Sequence, residues 1–443
     1  MKLLFVSLGC DKNLVDSEKM LGILAERGYS FTDDEEEAEA AVVNTCCFIG
    51  DAKEESIGEL LRLGELRKSG QLKALVAAGC LAQRYREELL REIPEVDAVL
   101  GTMATREIAQ ALEDVITRGK VHEMHLAPLD ASPYDSPKRS LTTGGHYAYL
   151  KIAEGCDRCC TYCIIPKVRG PYRSIPMESL LEEARMLAGR GVRELILVAQ
   201  ETTLYGQDLY GKKSLHLLLE HLCEIPELSW IRILYAYPEE IGDELIDCMA
   251  RHKDRIVPYL DLPIQSGSDG ILKRMGRRTD RAGIESLIGR LRERIPEICL
   301  RTTLISGFPG ETQEDFEETY RFVNEMEFDR LGVFAYSAEE DTPAALFPDQ
   351  IPEEVKEFRR DELMALQQEI CLEKNESLIG TLLPVMVEGY LPEDGVYVGR
   401  TYRDAPGVDG LIFFEAGREL LTGEILSVRV TGAQEYDLEG IYE

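Results

Sequence analysis

Three closely spaced cysteines carry the strongest chemical signal in this chain of 443 residues. Cys156, Cys160 and Cys163 form a C-x3-C-x2-C pattern after a predicted buried strand and before Pro166, where one loop can wrap three thiolates around a compact centre. Thiolates favour iron–sulfur clusters or zinc. Three ligands leave one iron of a four-iron cluster open, and an open position distinguishes a reacting metal site from a structural one.

Cys159 leaves a zinc alternative open. The pairs Cys156-x-x-Cys159 and Cys160-x-x-Cys163 could together supply four thiolates to zinc. Zinc ribbons, however, usually separate their two cysteine pairs by many residues, so the spacing favours a cluster.

A second group of cysteines is spread over the first part of the chain. Cys10, the Cys46 and Cys47 pair, and Cys80 each follow a predicted strand. The carboxyl ends of adjacent parallel strands meet at one edge of a sheet, so thiols about 35 residues apart in sequence can converge there. A lone buried cysteine is usually a small hydrophobe, but three at the same place in successive units predict a second cluster site. The four remaining cysteines lie within predicted strands or helices and are interpreted as packing residues: Cys223, Cys248, Cys299 and Cys371.

The elements that must position these cysteines alternate between strands and helices. The chain exceeds the roughly 250 to 300 residues at which a single core stops growing, so we expect several domains. Over residues 1–118, runs from KLLFVS to VDAVL alternate with helical patterns, which predicts a small doubly wound α/β domain. Residues 119–146, rich in Pro, Ser, Thr and Gly, are predicted to be a linker. Six strand patterns over residues 147–350, from YAYLKI to LGVFAY, predict a full or partial (β/α) barrel with its active site at the carboxyl ends of the strands.

The last part of the chain has a different pattern and an acidic balance. A connecting helix over residues 351–373 precedes residues 374–443, where short strands with Gly turns predict a small antiparallel β-barrel. That segment holds 13 acidic and 5 basic side chains, and the whole chain has a net charge of −31. This balance argues against nonspecific nucleic-acid binding and suits a basic partner. A local basic face could still form, from Arg400, Arg403, Arg418 and Arg429.

The chain carries no pattern typical of membrane insertion or export. No run approaches the roughly 18 apolar residues of a membrane span. The opening MKLLFVSLGC has an apolar core, Leu3 to Val6, that is shorter than the roughly 7 to 15 residues of a signal peptide, so we interpret it as a buried strand. We therefore expect a cytoplasmic protein without membrane attachment, in a reducing compartment where cysteines more often bind metal than form disulfides.

Several motifs together resemble one known family. EGCDRCCTYCIIP resembles the signature of the radical S-adenosylmethionine (SAM) superfamily. With LGCDKNLVDSE, VNTCCFI, AAGCLAQRY, YLDLPIQSGSD, GFPGET and VTGAQEYDLEG, the chain is identified as a member of the methylthiotransferases over essentially its whole length. The residues of EGCDRCCTYCIIP and LGCDKNLVDSE are most similar to the branch of the family that methylthiolates an aspartate of small-subunit ribosomal protein S-twelve. The C-terminal barrel resembles a TRAM domain, which usually binds RNA.

The resemblance implies cofactors for both cysteine groups. At Cys47 the family more often has a small residue; either Cys46 or Cys47 could reach the iron, and the position in the motif favours Cys46. The implied cofactors are two [4Fe-4S] clusters, one that chelates SAM on Cys156, Cys160 and Cys163, and an auxiliary one on Cys10, Cys46 and Cys80.

Other residues at the predicted strand ends are suited to bind SAM. Gly307 and Phe308 begin a G-F-P-G turn, where glycine lets a ligand approach the backbone. Arg301 could pair with the SAM carboxylate, although its place within a strand fits a structural ion pair almost as well. The resemblance places Tyr162 beside the adenine. Polar groups suited to the ribose, amino group and carboxylate are Gln200, Glu201, Gln265 and Ser266.

The implied reaction consumes two SAM molecules. One methylates a sulfur on the auxiliary cluster. The other is cleaved by an electron from the barrel cluster, and the resulting 5′-deoxyadenosyl radical removes a hydrogen from the aspartate β-carbon, which then takes the methylthio group. No side-chain base could remove that hydrogen as a proton, so the cofactors supply the chemistry and no catalytic acid or base is assigned. The implied partners are ribosomal protein S-twelve and a one-electron donor such as flavodoxin or ferredoxin.

Three other functions fit part of the pattern. Methylthiolation of a tRNA adenosine would use the same fold and clusters, but the acidic TRAM-like segment and the motif wording argue against it. A noncatalytic iron–sulfur carrier would not need the motifs around Gln200, Gln265 and Gly307, and it would not cleave SAM. A structural zinc protein would be colourless and contain no acid-labile sulfide.

Overall fold

The first unit is a doubly wound sheet, as predicted. The computed structural model describes residues 1–119, 122–133 and 138–442. Six parallel strands lie in the order β2-β1-β3-β4-β5-β6 with helices on both faces. The strands are β1 (Lys2–Ser7), β2 (Ser30–Thr32), β3 (Ala40–Thr45), β4 (Leu75–Ala78), β5 (Ala98–Leu100) and β6 (Glu123–His125). The helices are α1 (Asp11–Glu26), α2 (Gly50–Lys68), α3 (Gly79–Tyr85), α4 (Glu87–Glu92) and α5 (Ile108–Arg118).

The first unit differs from the prediction at its edges. Strands β2 and β6 contain three residues each, too few to produce a recognisable pattern. Strand β6 falls inside the segment predicted to be a linker and pairs in parallel with β5. Two short helices, α3 and α4, meet at Arg86, whose φ is 43°.

The second unit is an open parallel barrel of six main strands in the order β7-β10-β11-β12-β13-β14, which confirms the predicted partial barrel. A two-stranded ribbon, β8 and β9, flanks the cysteine loop. The strands are β7 (Tyr147–Lys151), β8 (Ala153–Glu154), β9 (Arg173–Ser174), β10 (Glu194–Val198), β11 (Trp230–Ile233), β12 (Ile256–Gln265), β13 (Cys299–Ser306) and β14 (Arg330–Ala335). The helices are α6 (Ile165–Arg169), α7 (Met177–Gly189), α8 (Gln207–Tyr210), α9 (Leu215–Cys223), α10 (Asp243–Arg251), α11 (Asp269–Arg274), α12 (Arg281–Arg294), α13 (Gln313–Met326) and the connecting helix α14 (Glu353–Glu376).

The third unit is a closed barrel of five strands, also as predicted, in the order β15-β16-β17-β19-β18. Its strands are β15 (Leu382–Leu391), β16 (Val396–Thr401), β17 (Ile412–Ala416), β18 (Ile425–Ala433) and β19 (Leu438–Tyr442). The prediction of a wholly antiparallel barrel is wrong in one respect, because β17 and β19 pair in parallel. A closed ring with an odd number of strands cannot alternate direction throughout, so one pair must be parallel. Among the described helices, none has the length and apolar character needed to cross a membrane.

Buried ion pairs join the small barrel to the partial barrel. Glu194, at the start of β10, accepts from Arg400 Nη2 and from Arg232 Nε, each at 2.7 Å. Arg403 donates to Asp329 at 3.1 Å, in the same interface. All these side chains are almost inaccessible to solvent. The interface is therefore a fixed internal contact.

The predicted basic face of the small barrel is not formed. Arg400 and Arg403 are buried in the interface just described, because each neutralises a carboxylate there. Arg418 lies outside the interface and pairs with Glu424 at 2.8 Å. Arg429 donates to the carbonyl oxygen of Gly380 at 3.2 Å. The acidic character of the segment is thus not offset by these four arginines.

Glu194→Gln is expected to lower the free energy of unfolding by about 3 kcal/mol, since it leaves two buried guanidinium groups without their shared carboxylate. Burial opposes ionisation of Glu194, but Arg400 and Arg232 outweigh it and hold its pKa below the ordinary value. This contribution is present above the ordinary pKa of a glutamate and is lost as pH falls toward the lowered pKa, so wild type and variant should converge in acid. Urea unfolding followed by the fluorescence of Trp230, the single Trp, reports on this interface because Trp230 packs with Met386 of the small barrel.

Arg418→Gln is the matched control for this measurement. It removes an exposed ion pair and should change the free energy of unfolding by less than about 0.5 kcal/mol. Equal stability of Glu194→Gln and wild type near neutral pH would contradict the importance of the buried pairs.

Candidate functional site

Three cysteines of the first unit lie at one edge of its sheet. Cys10 follows β1, Cys46 follows β3, and Cys80 lies in the first turn of α3 after β4, and these three strands are adjacent. Gly9 lets the first two loops approach, because a Cβ there would lie 2.9 Å from Cys46 Sγ, and its φ of 86° also favours glycine. Burial raises the pKa of the Cys80 thiol against the opposing effect of Arg169, and the neighbouring thiols of Cys47, Cys46 and Cys10 raise it further.

Asn13 fastens the three loops together. Its Nδ2 donates to the carbonyl oxygens of Leu8 at 3.0 Å and Thr45 at 2.9 Å, which follow β1 and end β3. Thr45 Oγ1 in turn donates to the carbonyl oxygen of Ala78, the last residue of β4, at 2.6 Å. The relative positions of the thiols are therefore set by buried hydrogen bonds.

Cys46 and Cys47 face different surroundings. Burial raises the pKa of the Cys46 thiol, and Cys10 raises it further. Cys47 lies in the hydrophobic core behind the loops, and burial raises its pKa to about 11 against the opposing effect of Arg84. Arg84 pairs with Glu339 at 2.9 Å on that side. Cys46 thus lies within electrostatic reach of Cys10, whereas Cys47 neighbours Cys80 and Arg84.

The barrel cysteines lie on one loop after β8. Cys156 and Cys160 are buried and Cys163 is partly exposed, whereas Cys159 is exposed with a φ of 54°. The Cys156 amide donates to the carbonyl oxygen of Gly170 at 3.1 Å, and the Cys163 amide to that of Cys160 at 3.0 Å. Burial raises the pKa of the Cys156 thiol to about 12. The loop therefore gathers three thiols and turns Cys159 outward.

In the described ranges, neither thiol triad has its three sulfurs as close together as the ligands of a bound zinc ion. Tetrahedral coordination with Zn–S of about 2.3 Å places sulfurs about 3.8 Å apart. Within the described ranges, only Glu220, Cys248 and His252 bring three candidate ligand atoms within 4.8 Å of one another. There Glu220 already pairs with Arg251 at 2.8 Å, and Cys248 donates to a backbone carbonyl. Cysteine thiolates are also the ligands that hold iron–sulfur clusters.

Gln200 and Glu201 brace the barrel loop. Gln200 Oε1 accepts from the Gly155 amide at 2.9 Å, and its Nε2 donates to Glu154 at 2.7 Å. Glu201 is fully buried and accepts from Arg158 Nε at 2.6 Å. Burial raises the pKa of Glu201 to about 7, although Arg158 opposes the shift. Both side chains hold the segment around Cys156 in place.

Three other residues predicted to contact SAM, Gln265, Ser266 and Gly307, differ in whether their polar atoms already have partners within the protein. Gln265 has a φ of 81°, is half-buried and has no side-chain hydrogen-bond partner among the described residues. Ser266 is buried and accepts from the Ser268 amide at 3.1 Å. A Cβ on Gly307 would lie 2.3 Å from Lys356 Cγ, so its close approach is to helix α14. Gln265 is thus the one of these three whose polar atoms are open to a ligand.

An aromatic wall and an arginine stand beside the barrel cysteines. Phe308 is fully buried and packs edge-on against Tyr162, with ring centroids 6.4 Å apart. Arg277 has a fully buried side chain over the ring of Tyr237, at 4.4 Å, and within electrostatic reach of Tyr162 and Cys160. Its Nε and Nη1 have no hydrogen-bond partner among the described residues. Unpaired buried N–H donors at this place fit an anionic group such as a carboxylate.

A cavity of about 450 Å³ joins the three units next to Cys10. The start of α1 docks on the barrel, where Lys12 Nζ lies 3.2 Å from the centroid of the Tyr235 ring. Arg301 lines the cavity and pairs with Asp261 at 2.9 Å and Asp409 at 3.3 Å, which fits the structural interpretation of this residue. The small barrel contributes Pro406, Gly407 and Val408 to the wall.

Family models match all three units. The description "Uncharacterized protein family UPF0004" matches residues 2–101, the radical SAM superfamily matches residues 150–323, and the TRAM domain matches residues 379–442.

Curated relatives match from end to end. A protein of Lachnoclostridium phytofermentans named ribosomal protein uS12 methylthiotransferase RimO is 57% identical, with 100% of each chain covered. A protein of the same name from Clostridioides difficile is 48% identical, covering 100% of this chain and 99% of its own.

Solved structures share the fold at low identity. TsrM, a radical SAM methyltransferase from Kitasatospora setae, superposes with a TM-score of 0.54 at 14% identity, over 87% of this chain and 78% of its own. The radical enzyme OxsB superposes with a TM-score of 0.51 at 14% identity, over 84% of this chain and 56% of its own.

Proposed function

Since the chain belongs to the RimO family of ribosomal protein uS12 methylthiotransferases, we propose that it transfers a methylthio group to the β-carbon of an aspartate in uS12. The observation that carries the proposal is the presence of two separate thiol triads, one at the edge of the first sheet and one on the barrel cysteine loop, in a chain that these relatives match over its full length. We place the activity in the cytoplasm, with a flavodoxin or ferredoxin as one-electron donor.

We assign a [4Fe-4S] cluster to each triad. The chemistry of the donor sets fits, because each set offers thiols only and the surrounding loops are already fastened. Once bound, the clusters and SAM supply the sulfur, methyl group and radical that no side chain can supply. The barrel cluster is held by Cys156, Cys160 and Cys163, and the auxiliary cluster by Cys10, Cys46 and Cys80.

The protein's own residues bind SAM and keep water out. The unpaired donors of Arg277 are suited to its carboxylate and those of Gln265 to its polar groups. Tyr162 and Phe308 supply an apolar wall for the adenine. A water-excluding wall protects a radical from side reactions.

The cavity beside Cys10 is suited to receive the target aspartate. It reaches the first thiol triad and is closed on one side by the small barrel, whose Val408 is 58% exposed. Because the C-terminal segment is acidic and Arg400, Arg403 and Arg418 each pair with a carboxylate, it favours a basic protein over the phosphates of tRNA.

The proposal is tested with anaerobically reconstituted protein, SAM and a strong reductant, offered uS12 and total tRNA in parallel. Mass spectrometry is expected to find a methylthio group on one aspartate of uS12 and none on tRNA adenosine. Modification of tRNA alone would contradict the substrate assignment and leave the cluster assignment standing. Failure to cleave SAM, with both clusters present, would contradict the enzymatic function.

A further inference from the structure

Four charged side chains are buried between the two thiol triads. Arg169 Nη1 donates to Asp16 at 2.7 Å and to Glu154 at 3.1 Å, and Lys151 Nζ donates to Glu154 at 2.8 Å and also to Asp16. Each side chain is at least nine-tenths buried. Two cations and two anions compensate one another, so this buried group carries no net charge.

The group touches a candidate ligand of the auxiliary cluster at one end. Arg169 Nη2 donates to Cys80 Sγ at 3.4 Å and also to Asn13 Oδ1. Arg169 ends helix α6, which follows the barrel cysteine loop, whereas Cys80 belongs to the first unit. A guanidinium from one unit thus contacts a thiol of the other.

The same group reaches the barrel cysteine loop at its other end. Glu154 Oε1 accepts from Gln200 Nε2 at 2.7 Å and from the Gly155 amide at 3.3 Å. Gly155 directly precedes Cys156. Hydrogen bonds and ion pairs therefore run without interruption from Cys80 to the residue before Cys156.

The fork of the guanidinium is what makes this arrangement possible. One nitrogen of Arg169 serves two carboxylates while the other serves the thiol and the amide oxygen. A lysine has a single side-chain nitrogen and could not reach the two carboxylates and the Cys80 thiol at the same time. Because the carboxylates fix the guanidinium, its N–H bonds stay directed at Cys80.

We propose that Arg169 is a positioning residue that acts through Cys80: it donates a hydrogen bond to the sulfur of Cys80 when that residue ligates the auxiliary cluster, and so raises the reduction potential of this cluster. Hydrogen bonds donated to the sulfurs that ligate a cluster stabilise its reduced, more negative state. The inference rests on the proposed function, because it requires Cys80 to be an iron ligand.

The test measures the potential of the auxiliary cluster alone. In the full chain with Cys156, Cys160 and Cys163 changed to Ala, the remaining cluster is titrated with a reductant and followed by electron paramagnetic resonance. Arg169→Gln is expected to lower the equilibrium constant for reduction at least tenfold, which is about 59 mV for one electron. Arg169→Lys keeps the charge and loses the fork, so an intermediate shift is expected.

Arg139 supplies the matched control. It is fully buried and joins the first unit to the barrel through Glu18 and through Glu183 at 2.6 Å, but donates to no thiol in the described part of the chain. Arg139→Lys should therefore leave the potential unchanged.

The outcomes of this titration show whether Arg169 sets the reduction potential of the auxiliary cluster. A wild-type potential in Arg169→Gln, or a shift of equal size in Arg139→Lys, would overturn the inference. If Arg169→Lys alone failed to retain the cluster, Arg169 would serve cluster binding and not its potential, which would also overturn it. If the parent with the three barrel cysteines replaced held no iron at all, the two-cluster assignment of the proposed function would be at fault instead.

Discussion

Cys156→Ala is expected to abolish both the cleavage of SAM to 5′-deoxyadenosine and the methylthiolation of uS12, each by at least about a thousand-fold. The substitution removes one of the three thiols of the cysteine loop, and Cys159, the fourth cysteine of that loop, is exposed with a φ of 54°. Both products are quantified by liquid chromatography and mass spectrometry, and iron is counted in the same samples.

Cys159→Ala is the matched control for this loss. It replaces an exposed cysteine on the same loop and should leave SAM cleavage within about twofold of wild type. Iron content should fall by about half in Cys156→Ala only, because the auxiliary cluster does not depend on that thiol. Undiminished 5′-deoxyadenosine formation by Cys156→Ala would contradict the assignment of the barrel triad.

Cys46→Ser is expected to separate the two halves of the reaction. Without the auxiliary cluster, methylthiolated uS12 should fall below detection, while SAM is still cleaved by the intact barrel triad. Iron should again fall by about half. Iron and sulfide analysis and the two product assays give this result from one preparation.

Cys47→Ser, one residue away, is the control and should retain both clusters and both products. The reason is that Cys46 is the thiol of this pair within electrostatic reach of Cys10, whereas the Cys47 thiol accompanies Arg84. Loss of the auxiliary cluster in Cys47→Ser with retention in Cys46→Ser would reverse this assignment.

Much of the fold could be predicted because the sequence pattern is local. Continuous apolar runs separated by helices indicate parallel strands, and the order of the three units followed from changes in that pattern. The convergence of Cys10, Cys46 and Cys80 on one edge followed from the geometry of parallel sheets. The parallel pair β17 and β19 was missed because spacing alone does not show how a barrel closes.

The contacts between units could not be predicted, since they join residues far apart in sequence. In the sequence, Arg400 and Arg403 resemble exposed basic residues of a short acidic segment. In the structure they are buried, because each pairs with a carboxylate of the partial barrel, Glu194 and Asp329 respectively. The sequence gives the sign of the charge on a side chain but does not show whether that side chain is exposed to solvent. Gln200 and Glu201 have hydrogen-bond partners on the barrel loop that the sequence does not reveal, and their contact with SAM stays a prediction.

The residues that sequence reasoning overlooked are those that hold the site together. Asn13 and Asp16 stand inside LGCDKNLVDSE, a motif that was used only for its resemblance. Their roles depend on the carbonyl of Thr45 and on Arg169, which no periodicity connects to them. Arg277 lies in a polar turn whose contact with Tyr162 is set by packing of the barrel loops.

The origin of the hydrogen atom in 5′-deoxyadenosine tests the central claim most directly. Reconstituted protein is given SAM, reductant and uS12 whose aspartates carry deuterium on the β-carbon. We expect deuterium in 5′-deoxyadenosine, in step with the methylthiolation of uS12. Formation of 5′-deoxyadenosine without deuterium while uS12 becomes methylthiolated would contradict radical attack at the aspartate β-carbon.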